Sequence, residues 1–150
     1  RSAESKATLS DLGIEAVGSL PELLRTADIV SVHVPSAPET KGMINAEFLS
    51  DMKPGAVLIN TSRGDVVDES ALLSAMDEKG IRAGLDVYAD EPAVSEGEFS
   101  SALASHPNTC GTHHIGASTE QAQSAVSEGV LQIINSFSEG RILHCVNDQA

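Results

Sequence analysis

Arg63, Glu91 and His114 are the residues of this chain whose types and positions invite chemistry. Each follows a stretch read as a strand, and in a parallel sheet such strands end on one edge, so side chains far apart in sequence can converge there. The guanidinium of Arg63, beside the backbone freedom of Gly64, is placed to grip an anion. Its fork holds a carboxylate bidentately and polarises an adjacent carbonyl. The His114 imidazole can exchange a proton with a substrate oxygen near neutral pH, and a carboxylate such as Glu91 beside it orients the ring and favours its charged form. Asp86, at the end of its own apolar run, can accept hydrogen bonds from an amide-bearing ligand. Each residue also has a plainer reading. Arg63 can be a solvated side chain in a crossover loop, a lone histidine more often serves the structure, and a glutamate in an acidic loop is usually just hydrated. His113 and His114 are adjacent, yet no HExxH or Cys/His spacing accompanies them, so no metal site is expected. His33, His106 and His144 are read as structural.

The elements that must hold these residues centre on Ala56–Met76, AVLINTSRGDVVDESALLSAM. Ala56–Ile59 is too short for a helix and rich in branched residues, the mark of a buried parallel strand. Asn60–Gly64 is a polar turn. Asp68 is a good N-cap, Glu69 lies in the first turn, and Ala71, Leu72, Leu73, Ala75 and Met76 make a helical apolar face that Gly80 ends. Upstream, Leu9 and Leu12 read as cover for an edge and Ile14–Val17 as a short strand. Ser19–Glu22 resembles a capping box opening a short helix. Ile29–Val34 is a strong strand stopped by Pro35. A short helix is expected around Ala46–Met52, and Lys53–Gly55 is a turn. Downstream, Ile81–Val87 contains a strand and Asp90–Pro92 lies in an irregular acidic loop. A short helix is expected near Phe99–Ala104, and Thr109–Thr112 is a last short strand with His113–Gly116 at its tip. Ser118–Gln121 makes a second capping box. The helix it opens carries Ala122, Ala125, Val126, Val130, Ile133, Ile134 and Phe137 on one face and closes at Gly140. Successive strand–helix units with short connections imply an α/β fold with a mainly parallel sheet covered on both sides.

The chain's 150 residues make about one domain. A net charge of −13, with nine basic residues scattered rather than clustered, argues against nucleic-acid or anionic-membrane partners. No apolar run approaches membrane-span length. Cys110 and Cys145 form neither CxxC nor a dense framework, so two reduced thiols in a cytoplasmic protein are expected. Trp is absent and aromatics are 3%, which leaves the core to Val, Ile, Leu and Ala. The chain opens on Arg1-Ser2 without an initiator Met, as a fragment or a processed product would.

The segments ADIVSVHVP, KPGAVLINTSRGDVVDESALLSAM, AGLDVYADEP and HHIGASTEQAQ, in this order and at these separations, resemble the D-isomer-specific 2-hydroxyacid dehydrogenases over about Ala27–Gln123. GASTEQAQ and the tail CVNDQA look most like the branch that acts on 3-phosphoglycerate. The resemblance implies an NAD-dependent oxidoreductase with a Rossmann-type doubly wound, mainly parallel sheet, incomplete here. Residues 1–139 would be the later part of the NAD-binding domain with its long return helix, and 140–150 the start of the return to a substrate domain. By matching positions, Arg63 is implied as the substrate-carboxylate arginine, Glu91 as the acid that orients the histidine, and His114 as the general acid/base. Cofactor contacts are implied at Val34, Pro35, Thr61 and Asp86, and at His114, Ile115, Gly116 and Ala117. No GxGxxG occurs in the chain, and the resemblance puts the phosphate-binding glycine loop and the ribose-binding acid upstream of Arg1. The isolated chain is therefore expected not to turn over substrate. His113 stands where the family usually has Pro, which implies a looser loop or an altered setting of the ring. The expected substrate is 3-phosphoglycerate, in serine biosynthesis. Glyoxylate/hydroxypyruvate reductase or D-lactate dehydrogenase is the alternative within the class, and a non-catalytic NAD-sensing, corepressor-like protein is the alternative class. The family expectation is also a homo-oligomer, dimer or tetramer, in the cytoplasm.

Overall fold

Short branched runs favour the pleated conformation because their side chains are restricted at χ1 and pack well on a half-buried surface. Ile29–Val32 and Val57–Asn60 are such runs, and with the less branched Arg82–Leu85 and Thr109–Gly111 they form the sheet of the computed structural model, which describes residues 11–92 and 99–145. They are β1 (Ile29–Val32), β2 (Val57–Asn60), β3 (Arg82–Leu85) and β4 (Thr109–Gly111), all parallel and in the order β1-β2-β3-β4. Val32 pairs with Asn60, Asn60 with Leu85, and Leu85 with Gly111. The four strands therefore end together, about 4.8 Å apart, and their exit loops leave one edge side by side.

Three helices pack beside this sheet. In α1 (Leu20–Thr26) the Ser19 hydroxyl accepts from Glu22 N (3.4 Å), and the Glu22 carboxylate reaches back to Gly18 N (3.0 Å). In α2 (Ala46–Asp51) the Asn45 side chain caps Phe48 N at 3.0 Å. In α3 (Glu69–Lys79) the Asp68 carboxylate accepts from Ala71 N at 3.0 Å, and Gly80 ends the helix at φ 66, where a Cβ would be strained. The ammonium of Lys79 donates to the carbonyls of Leu49, Ser50 and Met52 (2.9, 2.7 and 2.6 Å). It thereby satisfies the orphan acceptors at the end of α2 and ties that helix to α3. Val30, Val32, Leu58, Ala83 and Leu85, on one face of the sheet, join Leu24, Leu49, Leu72 and Met76 in the core. Each large side chain so buried contributes about 1.5–3 kcal/mol. On the other face Ile29, Ser31 and Arg82 are exposed and Val57, Ile59 and Gly84 half-buried. The cover expected on both faces is thus seen on one among the described residues of this unit.

Five local expectations are revised. Ile14–Val17 forms no strand: no described strand pairs with it, and a ladder needs a neighbour. Phe99–Ala104 forms turns rather than a helix. There the Ser101 hydroxyl takes the amides of Leu103 and Ala104 (3.1 and 3.3 Å), a single turn that seats Leu103 in the core. One turn ordered alone costs more entropy than its hydrogen bonds return, and Pro107 follows shortly. The first strand ends at Val32 rather than Val34, and β2 runs Val57–Asn60 rather than Ala56–Ile59. A 3-10 turn, Gly64–Val66, follows Arg63. Leu12 is exposed, and Leu9 lies outside the described residues.

The chain divides into two units, Arg1–His113 and His114–Ala150. Among its described residues the second holds a short turn and α4 (Glu120–Ser138), opened by the Thr119 hydroxyl accepting from Ala122 N (3.1 Å) and closed by Gly140 at φ 78. Its apolar residues Val126, Val130, Ile134 and Phe137 are exposed. No helix among the described residues is long and apolar enough to cross a membrane.

Candidate functional site

The loops leaving the carboxyl edge of the sheet are fastened to one another. After β1 the chain passes half-buried Val34 and exposed Pro35, whose carbonyl accepts from the Thr40 hydroxyl (2.6 Å). The Ser36 hydroxyl then donates to the Asp65 carboxylate (2.6 Å). Gly42 N donates to Asp65 O, Ile44 N to Val66 O, and Asp68 N to Ile44 O (2.9, 3.0 and 3.0 Å), which zips the β1 loop to the β2 loop. Gly64 then fastens the β2 loop to the β3 loop. A methyl group there would lie 2.0 Å from the Tyr88 carbonyl oxygen and 2.6 Å from Ala89 N, so the two backbones touch because residue 64 has no side chain. Ala89 N donates to the Glu69 carboxylate (2.9 Å), and Tyr88 N donates to that of Glu91.

Thr61 and Arg63 are exposed at the tip of the β2 loop. The Arg63 guanidinium donates to Ser62 O (2.7 Å), and among the described residues no carboxylate pairs with it. In a chain with 22 acidic and 9 basic residues, a cation held clear of every described carboxylate is available to an incoming anion. Asp86 is buried where β3 ends; its amide donates to Asn60 O (3.1 Å) and its Oδ1 accepts from the Thr112 hydroxyl (2.5 Å). Glu91 is half-buried. The loops of Arg63 and Glu91 are thus brought together within the first unit.

His114 opens the second unit, three residues beyond the end of β4. It is exposed, as are Ile115, Gly116 and Ala117, and Ser118 N closes a turn on Ile115 O (2.9 Å) ahead of α4. Its φ is 59, a left-handed conformation that costs a non-glycine residue roughly 1–2 kcal/mol. Such strain in a folded chain gathers at functional positions. His144 shares it at φ 55. His106 serves the fold, with Nε2 3.2 Å from the Asp77 carboxylate and Nδ1 accepting from Asn108 N. Among the described residues no three His, Cys, Asp or Glu side chains group as metal ligands.

Residue-type reasoning passed over Asn60, Glu69 and Tyr88 as parts of the site. The Tyr88 ring is buried 5.1 Å from that of Phe99, and its hydroxyl occupies the space a side chain at Gly111 would fill. Burial, then the negative charges of Glu69, Asp86, Cys110 and Glu91, push its phenol above the usual value near 10. Because the folded state holds this proton more tightly than the unfolded one, the associated stability is fully present below the unfolded pKa and declines as pH rises through the folded one. Tyr88 is the one tyrosine and the chain has no tryptophan, so phenolate absorbance reports it alone. A pH titration is expected to show an ionisation midpoint above the ordinary tyrosine value while the chain stays folded. A phenolate forming at the ordinary value in a folded chain contradicts the placement.

Two cavities lie among the described residues. One of about 390 Å³ is lined by Glu69, Asp90, Pro92 and residues of 99–102; another of about 530 Å³ runs along α4 to Arg141 and Leu143. Neither is lined by Arg63, Glu91 or His114.

Comparison with known proteins gives the family and the fold. The NAD binding domain model of the D-isomer specific 2-hydroxyacid dehydrogenases matches residues 1–116. D-3-phosphoglycerate dehydrogenase of Escherichia coli K12 is 43% identical over 133 residues, covering 87% of this chain and 32% of that protein. D-3-phosphoglycerate dehydrogenase 1 of Saccharomyces cerevisiae is 43% identical over 141 residues, with 87% and 30% covered. The chain thus spans about a third of the length of these curated relatives. Among solved structures, apo Rhodotorula graminis D-mandelate dehydrogenase superposes with a TM-score of 0.78 at 35% identity, covering 91% of this chain and 38% of that one. D-lactate dehydrogenase with NAD+ from Lactobacillus jensenii gives 0.75 at 30% identity, covering 85% and 41%.

Proposed function

The chain belongs to the D-isomer specific 2-hydroxyacid dehydrogenases, and on that premise we propose that the protein carrying it is an NAD-dependent oxidoreductase acting at C2 of a D-2-hydroxy acid. The observation that carries this reading is Arg63, an exposed cation without a described carboxylate partner, held at the carboxyl edge of the sheet by a loop fastened to the loop of Glu91. Its guanidinium holds the substrate carboxylate in two hydrogen bonds and polarises the oxygen at C2. His114 takes the hydroxyl proton on oxidation and returns it on reduction, while Glu91 orients the imidazole.

The strand exits suit a nicotinamide nucleotide. Val34 and Pro35 after β1 present apolar surface, Thr61 after β2 a hydroxyl, and the buried Asp86 carboxylate after β3 an acceptor for a carboxamide. Bound nicotinamide supplies the hydride acceptor. Ile115, Gly116 and Ala117 are the further contacts beyond β4, and residues 140–150 begin the return to a substrate domain.

The substrate is 3-phosphoglycerate, in cytoplasmic serine biosynthesis by a homo-oligomer; the two relatives named D-3-phosphoglycerate dehydrogenase support this choice. A substrate panel on the full-length protein tests it. Phosphoglycerate oxidation is expected to have the highest kcat/KM. Good reduction of glyoxylate, hydroxypyruvate or pyruvate with no activity on phosphoglycerate would overturn the substrate and leave the class standing.

A further inference from the structure

Asn60 is the residue whose placement the proposed chemistry leaves unexplained. It is the last residue of β2, fully buried, on the same face as Leu58, where the alternation of the strand calls for an apolar side chain. A buried carboxamide persists when its hydrogen bonds are made. Here they go to one place. Its Oδ1 accepts from Ser62 N (3.0 Å) and from the Ser62 hydroxyl (2.8 Å), and its Nδ2 donates to Arg63 O (2.8 Å). Its backbone carbonyl meanwhile accepts from Asp86 N (3.1 Å) at the end of β3.

We infer that Asn60 is a positioning residue: its buried carboxamide grips Ser62 and Arg63 so that the guanidinium is presented from the edge of the sheet in one fixed geometry. This rests on the reading of Arg63 as the carboxylate clamp. A tip loop left free would be ordered afresh at each binding event, whereas a loop already fixed binds without that loss. Displacement of a binding group by about 1 Å can cost on the order of 10²-fold in rate. Asn60 has no reach to a substrate of its own; it acts through Arg63.

The experiment compares Asn60→Asp, Arg63→Gln and the double variant in the full-length protein, reading substrate KM, kcat and cofactor Kd. Aspartate keeps the shape and the acceptor but loses the donor to Arg63 O, setting a carboxylate oxygen against a carbonyl oxygen. Asn60→Asp is expected to raise substrate KM about 10- to 100-fold, with cofactor Kd within about threefold. In the Arg63→Gln background the same change is expected to add less than about twofold, because its effect passes through a group no longer there. Should Asn60→Asp fold poorly, Ser62→Ala, which removes one donor to Asn60 Oδ1, is expected to raise KM severalfold with the same non-additivity. An unchanged KM in Asn60→Asp, or full additivity of the two changes, overturns the inference while the clamp stands. An unchanged KM in Arg63→Gln removes the clamp and the inference together.

Discussion

His114→Asn is expected to lower kcat of the full-length protein by about 10²- to 10⁴-fold, the range that a positioned acid/base supplies, while cofactor affinity stays within about threefold. The choice of asparagine follows from the backbone. His114 has φ 59, and asparagine tolerates the left-handed region nearly as well as any residue other than glycine. The loop into α4 should therefore keep its path while the proton carrier is lost. His114→Val makes the contrast, because a β-branched residue at this φ is a genuine outlier and should disturb cofactor binding as well. Stopped-flow cofactor binding and steady-state turnover, measured on both variants, separate the two effects. A fall of less than about tenfold in His114→Asn, with the protein folded, removes His114 from the proton transfer. His113→Ala alongside it asks whether the neighbouring imidazole takes any share; it is expected to leave kcat within about threefold of the parent.

What residue types reveal and what they hide divides along physical lines. The parallel sheet was legible because short strand-like segments, branched in β1 and β2, alternate with helix and turn signals. The caps Ser19, Asp68 and Gly80 were legible because each satisfies or ends a helix by its own local chemistry, whereas α4 is capped by Thr119, one residue beyond the Ser118 to which the capping-box pattern points. Ile14–Val17 misled because a strand's existence depends on a neighbour that local pattern does not encode. Phe99–Ala104 misled because an apolar segment a turn and a half long can bury Leu103 without becoming a helix. Arg63, Glu91 and Asp86 stand out by type and by following strands, and the loops of the first two are fastened together. Asn60 was read as the start of a turn, although a residue two places beyond Leu58 in a strand must face the same way. The role of Gly64 was half visible: a flexible hinge was expected, whereas the observed reason is the missing Cβ against the Tyr88–Ala89 peptide. That contact joins loops more than twenty residues apart, and no local pattern encodes it.

Arg63→Gln is expected to reduce kcat/KM for the hydroxy acid by about 30- to several-thousand-fold, since deleting one partner of a hydrogen-bonded charge pair costs about 2–5 kcal/mol. Glutamine retains length and a donor but neither the charge nor the fork. Arg63→Lys, which keeps the charge and loses the bidentate geometry, is expected to fall between the parent and Arg63→Gln. The ordering matters more than either number. A guanidinium acting through charge alone would leave Lys close to the parent, and one that merely braces its own loop would lower the melting temperature without changing substrate KM. The second possibility has a structural counterweight: the described contact of the guanidinium is with the adjacent Ser62 carbonyl, whereas Asn60 and Gly64 hold the loop through its backbone. Removing the side chain should therefore leave the loop's fastening in place. Substrate-independent measures, cofactor Kd and thermal midpoint, are expected to stay near the parent in Arg63→Gln. If instead they collapse along with turnover, the arginine supports the fold and some other cation binds the carboxylate.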